Sequence, residues 1–332
     1  MTVALVEELA NQLLELEPAP AVRFRLLRDV LRVSNTDGKL EEAKRSLLSS
    51  KWITELQAGQ LADGSWGRFH SANTAVKKRI VTTEHAVSRG LALGLESGDG
   101  IFQKTADYLV NLLNGKKSFP DPPEKNERWT TGTRLFTAAT LAVLQPGSTA
   151  LNSVHRTWIE IARRTFISGV HDPEQELLAH RECTGMLVED NCLYYLVLHN
   201  KYTIALLGAR IHSLPGKLEK KLVSWLWGRQ EGMQYLGIPP AWKPAGASAN
   251  QLEHWFQSQE LLARFPSWKA LAGDTVEWLW NQQKEDGYWD FGKRISHPDP
   301  GYFPLSESWR NERCRKIDWT VRTLVLLRNF YD

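Results

Sequence analysis

The sequence predicts an all-α protein, specifically an (α/α)6 toroid of about six inner and six outer helices. Three observations lead there. A Gln-x-x-Asp-Gly-x-Trp pattern occurs twice with unchanged spacing, at Gln60 to Trp66 and at Gln283 to Trp289. Helical segments alternate between a one-sided apolar stripe and apolar character around most of the circumference. Connections alternate as well, short after each fully apolar segment and long before it. Repeated units of this kind cannot bury their faces alone, whereas stacked copies share a core.

The totals fit. Of 332 residues, 42% are hydrophobic and 24% charged, enough to build a sizeable core. No linker or composition shift divides the chain, so residues 1–332 read as a single domain. A net charge of +3, from 41 basic and 38 acidic residues, gives no case for nucleic acid. Three cysteines suggest a reducing compartment rather than a disulfide scaffold. The first residues lack the basic start and apolar run of a signal peptide, and no apolar stretch nears the ~20 residues of a transmembrane helix. A cytoplasmic protein with no transmembrane segment is expected, which leaves peripheral membrane contact open. The 14 tryptophans gather near predicted helix ends and loops.

Taken in order, residues 3–16 form an amphipathic helix, broken by Pro18 and Pro20, and 21–33 a second. Asp37-Gly38 makes a turn, and 40–58 carry a one-sided stripe from Leu40 to Leu56. The segment 82–96 is apolar on most sides, 101–114 one-sided, 130–144 apolar and 152–167 one-sided. The run 184–198 (Met186, Leu187, Val188, Leu193, Leu196) is predicted as the next inner helix, and 202–213 as an extra one. Then follow 217–230 (one-sided), 249–263, 268–283 (one-sided) and 317–331 (apolar). A helix apolar all round must be covered on both sides, and a one-sided helix faces water.

The short connections are 34–39, 97–100, 145–151 and 264–267; the long ones are 59–81, 115–129, 168–183, 231–248 and 284–316. In a closed toroid the long loops share one rim, above the inner-helix N-termini, and that rim is where function is expected.

The two Gln-x-x-Asp-Gly-x-Trp repeats resemble the QW motifs of the terpenoid cyclase and protein prenyltransferase toroid superfamily. Gln230-Glu-Gly-Met-Gln-Tyr235 reads as a degenerate third copy. The motif itself reads as structural: a glutamine bonding free carbonyls in the last turn of an outer helix, Asp-Gly turning the chain, and tryptophan covering the joint. The resemblance implies an apolar cavity that takes an isoprenoid-like substrate, with a carboxylic acid as proton donor. This chain departs from the family in having neither Asp-x-Asp-Asp nor Asp-Asp-x-x-Asp. Asp318-Trp319-Thr320 is similar to the Asp-Cys-Thr of oxidosqualene cyclases, and Glu182-Cys183-Thr184 is a looser echo.

Asp318 and Glu182 are therefore candidate acids, with helix capping as the plainer role for both. An Asp318–Arg322 pair at i,i+4 would keep Asp318 ionised. Glu189 and Asp190 sit in an apolar stretch, either as pocket acids or as partners of an inner-helix arginine, and Arg134 is a further substrate-binding candidate. His85, with Arg89 one turn on, and His254 are further polar candidates. Basic residues Lys77, Lys78, Arg79, Arg313, Arg315, Lys316, Arg23 and Arg25 lie near inner-helix starts and could receive an anionic head; solvated surface charge explains them as well. Phe24, Trp129, Tyr194, Trp255 and Trp319 could line a cavity or simply pack the core. Prenyltransferases bind zinc through Asp-x-Cys and a later His, but Glu182 directly precedes Cys183, so neither metal nor cofactor is expected. Two other readings stand beside the isoprenoid one: a non-catalytic binding module, and a carbohydrate-active toroid using Glu182, Glu189 and Asp190.

Overall fold

The computed structural model describes residues 2–73, 80–187, 192–292, 304–307 and 309–332. Among these the chain is all-helical, with no strand and one isolated bridge between Asn200 and Gln234. The helices are α1 (Val3–Glu15), α2 (Pro20–Arg25, continued by a π-turn over Leu26–Val30), α3 (Gly38–Leu48), α4 (Lys51–Gly59) and α5 (Thr83–Leu93). Next come α6 (Gly100–Leu113), α7 (Arg128–Leu144), α8 (Asn152–Thr165), α9 (Pro173–Thr184) and α10 (Lys201–Ala209). The last are α11 (Gly216–Trp227), α12 (Ala249–Leu262), α13 (Trp268–Leu271), α14 (Gly273–Asn281) and α15 (Glu312–Tyr331). No helix among the described residues is long and apolar enough to cross a membrane.

Local chemistry sets the ends. Asp37, Thr82, Asp172, Asn200, Ser248 and Asn311 each accept a hydrogen bond from a backbone N–H in the first turn that follows. Gly94 and Gly185 close α5 and α9 in the left-handed region.

One expectation fails. Past Thr184, which ends α9, the run 184–198 is no helix in its described residues, and Val188 to Asn191 lie outside them. Its apolar side chains Leu193, Leu196 and Leu198 are buried from a turn-rich segment, pinned where the Leu198 N–H donates to Glu176 at 2.6 Å. The neighbouring stretches exchange roles: Pro173–Thr184, expected as loop, is helical, and α10, expected as an extra helix, packs between α7 and α12. Two expected helices are also broken, 40–58 at Ser49-Ser50 and 268–283 at Ala272.

The repeated motif folds the same way twice. Trp66 and Trp289 donate their backbone N–H to Thr83 Oγ1 and Thr320 Oγ1, both at 3.0 Å. Their indole N–H groups reach back to the carbonyls of Leu56 and Leu279. Asp63 and Asp286 accept the N–H two residues on and pair with Lys117 and Lys316. Gln60 and Gln283 donate to the carbonyls of Gly64 and Gly287, inside the motif's own turn rather than in the preceding helix.

Gly64 and Gly287 have φ of +90° and +82°, where any side chain is strained. A Cβ on Gly64 would also lie 2.3 Å from the Lys104 carbonyl oxygen, whereas a Cβ on Gly287 meets nothing within 4 Å. Gly287→Ala should therefore cost about 1–2 kcal/mol, and Gly64→Ala clearly more, because α6 backbone must move. Urea unfolding of both variants checks this, and equal losses would refute the packing argument.

Candidate active-site cavity

Six helices, α2, α5, α7, α10, α12 and α15, carry or lead into side chains that line one cavity of about 970 Å³. Contacts between them join like ends. Lys201, at the start of α10, lies 3.9 Å from Glu84 at the start of α5. Arg25 and Arg28 donate to the carbonyls of Ala92 and Gly94 at the end of α5. Arg32, after the π-turn, pairs with Asp332 beyond α15. Phe265 and Arg264, just past α12, fill the space a Cβ on Gly208 near the end of α10 would need. Val87, Leu91, Val143, Ala205, Leu261 and Leu326 supply an apolar stretch of wall.

At the end formed by helix starts stands Asp318, 3% exposed. Its Oδ2 accepts the N–H groups of Leu305 (2.8 Å) and Ser306 (3.0 Å) and the Trp309 indole N–H (2.5 Å). Its Oδ1 accepts the Ser306 hydroxyl at 2.6 Å. Burial raises the carboxyl above its ordinary range, and these neutral donors offset only part of that. Arg322 does not pair with it, contrary to the i,i+4 expectation. Arg322 grips Glu260 through two nitrogens, at 2.6 and 3.0 Å, and bonds buried Glu253. These carboxylates hold it charged against the burial that opposes charge.

Next along this end is a cluster that sequence reading missed. Glu84 accepts from Tyr202 Oη at 2.5 Å and lies 2.8 Å from His70 Nδ1, with Lys201 beside it. Burial pushes the Glu84 carboxyl up, but the His70 bond and the Lys201 charge outweigh it and keep it below the usual carboxylate range. The His70 ring stacks on Phe136 at 4.6 Å. Asp121 holds its loop, accepting the N–H groups of Phe69, His70 and Ser71 at 2.5, 2.9 and 2.6 Å. No spacing links positions 70, 84 and 202. The available signal was an acid in the first turn of an apolar helix, Glu84 in α5.

Of the sequence-predicted site residues, Asp318, Trp319 and Arg322 on α15 and Arg25 on α2 line the cavity. Trp319 is 1% exposed, packed on Phe256, Phe291 and Trp309. Glu182 is misplaced by the sequence reading: it is exposed in the last turn of α9, paired with Arg164. Glu189 and Asp190, with Lys77, Lys78 and Arg79, lie outside the described residues. Phe24 is buried under Arg28 and Lys44, and Trp255 is fully buried with its indole N–H on the Trp242 carbonyl. His85 is buried, and His254 Nδ1 sits 2.8 Å from the Leu236 carbonyl oxygen. Trp129 stands edge-on to Phe119, Arg134 is exposed, and Tyr194 is 52% exposed beneath Arg128.

The basic residues expected to gather at the inner-helix starts are largely engaged. Arg315 is bonded to Asp290, Lys316 to Asp286 and Glu312, Arg25 to Asp29, and Arg313 to the Leu16 carbonyl. Among the described residues no three His, Cys, Asp or Glu side chains group as a metal site would require. No family model, curated protein or solved structure matches the chain.

Asp318→Asn can keep the donors to Oδ2 on its amide oxygen while the Ser306 hydroxyl turns to accept. Asp318→Ala would leave the N–H groups of Leu305, Ser306 and Trp309 without that acceptor, at about 1–3 kcal/mol per buried orphan. Asn should thus fold with a loss near 1 kcal/mol and Ala lose roughly 3 kcal/mol or more, read by urea denaturation. Equal stability of the two would show that Asp318 does not anchor this loop.

Proposed function

We propose that the chain is an (α/α)6 toroid whose central cavity takes an isoprenoid-like small molecule and that Asp318 is its proton donor. The observation that carries this reading is the convergence of six helices, like ends together, on a single cavity with an apolar stretch of wall. About 970 Å³ is at the upper end of the ~300–1,000 Å³ usual for small-molecule sites. Burial favours the neutral form of Asp318, and Arg315 and Arg322 on its own helix are committed elsewhere, to Asp290 and to Glu253 and Glu260. Protonating an alkene or epoxide needs such an acid at an apolar wall. The indole faces of Trp309 and Trp319, beside Asp318 on the wall, suit the cation that would result.

A second reading is favoured by the four donors on Asp318. A carboxylate so held is also a loop anchor, and the cavity would then serve a non-catalytic binding module. One experiment separates the two. The purified protein is incubated with squalene, oxidosqualene and prenyl diphosphates, and products and bound ligand are measured by mass spectrometry. The enzymatic reading expects a cyclised or rearranged product that falls at least 100-fold in Asp318→Asn, in line with losing a general acid. Saturable binding without product supports the module, and no binding of any isoprenoid rejects both.

A further inference from the structure

We infer that the cavity contains an anion subsite built on Arg264, at the end away from Asp318, which receives the charged head of the ligand. This inference rests on the cavity reading above.

On the cavity wall, Arg25 is paired with Asp29, Arg32 with Asp332, Lys201 with Glu84, and Arg322 with Glu253 and Glu260. The wall carboxylates are taken up by these same contacts, and Asp318 by its neutral donors. Arg264 and Lys269 line the same cavity, yet neither side chain makes a hydrogen bond or ion pair among the described residues. Glu260, one turn before Arg264, is the natural i,i+4 partner, but both its oxygens are bonded to Arg322.

Nor does Arg264 cap its helix. The α12 C-terminus is closed by backbone N–H groups, those of Ala263 on Gln259 and of Arg264 on Leu261, and no carbonyl accepts from the guanidinium. The side chain is open to the cavity but hemmed by protein, and that burial lowers its pKa, with Glu260 countering only in part. Its Cβ lies beside Gly208, 3.3 Å from where a Cβ on that glycine would stand. A guanidinium presents a planar fork of donors, which matches the oxygens of a phosphate or carboxylate. From there Leu261 and Leu326 continue the wall as an apolar surface toward the Asp318 end. The occupant that fits is a chain-like apolar molecule ending in a phosphate, diphosphate or carboxylate, lying along the cavity with its charged head at Arg264.

Binding of farnesyl diphosphate, farnesoic acid and farnesol, followed by the fluorescence of cavity tryptophans Trp309 and Trp319, tests this. In wild type one or both anionic probes should bind at least tenfold tighter than farnesol, and whichever does so identifies the head group. Arg264→Gln should abolish that preference and leave the farnesol Kd within twofold, which also reports that the variant is folded. Arg264→Lys should restore part of it. Farnesol binding with no anionic preference, or a preference that survives in Arg264→Gln, overturns the subsite and leaves the cavity reading intact. If none of the probes binds, the cavity reading fails and the subsite with it.

Discussion

A charge removed from water must be met by another group, and much of this molecule is arranged around that requirement. The apolar helices that build the interior also carry Glu84, Glu253, Asp318 and Arg322 into it. Each is matched: Arg322 lies between two glutamates, Glu84 holds Tyr202, His70 and Lys201, and Asp318 gathers Leu305, Ser306 and Trp309. Buried acids elsewhere act alike. Asp121 ties down 69–71 and Glu176 holds both Leu198 and His171. The connecting residues Phe69 to Ser71, Leu198, Leu305, Ser306 and Trp309 are thus held in place by carboxylates that accept their N–H groups. The same matching makes the wall charges without partners conspicuous.

The repeated tryptophan turn serves the scaffold. In both copies the indole bonds the helix behind it, and the tryptophan N–H bonds a threonine on a helix ahead. A residue that fastens two helices, one through its backbone N–H and one through its indole, has little freedom for chemistry. The polar groups facing the cavity belong to other positions, in the first turns of α5 and α10, along α15, and just past α12.

Much of the helical architecture was legible in the sequence, because amphipathic periodicity and capping residues mark most helices within a few positions. The segment around Met186 to Leu198 was not. Short apolar runs look alike whether they fold as a buried helix or as a pinned turn, and what pins this one is Glu176, on a helix that the sequence reading took for loop. Asp318, Trp319 and Arg322 were legible because one helix carries all three at neighbouring positions. The Glu84 cluster was not, since its members are far apart in sequence and meet only through packing. Arg264 was invisible for a related reason: its significance lies in the absence of a partner, and only the bonding of Glu260 to Arg322 reveals that. Glu182 shows the converse. A local likeness in three residues placed an acid inside that the fold leaves on the surface with Arg164.

The central claim is that six helices enclose one cavity in which an elongated apolar ligand lies. The most direct measurement is a crystal structure of the protein soaked with a brominated long-chain alcohol, collected at the bromine absorption edge. The account predicts an anomalous peak between the helices, against the wall of Val87, Val143, Ala205 and Leu326. Bromine found only on the outer surface, or a centre closed by packed side chains, would contradict it.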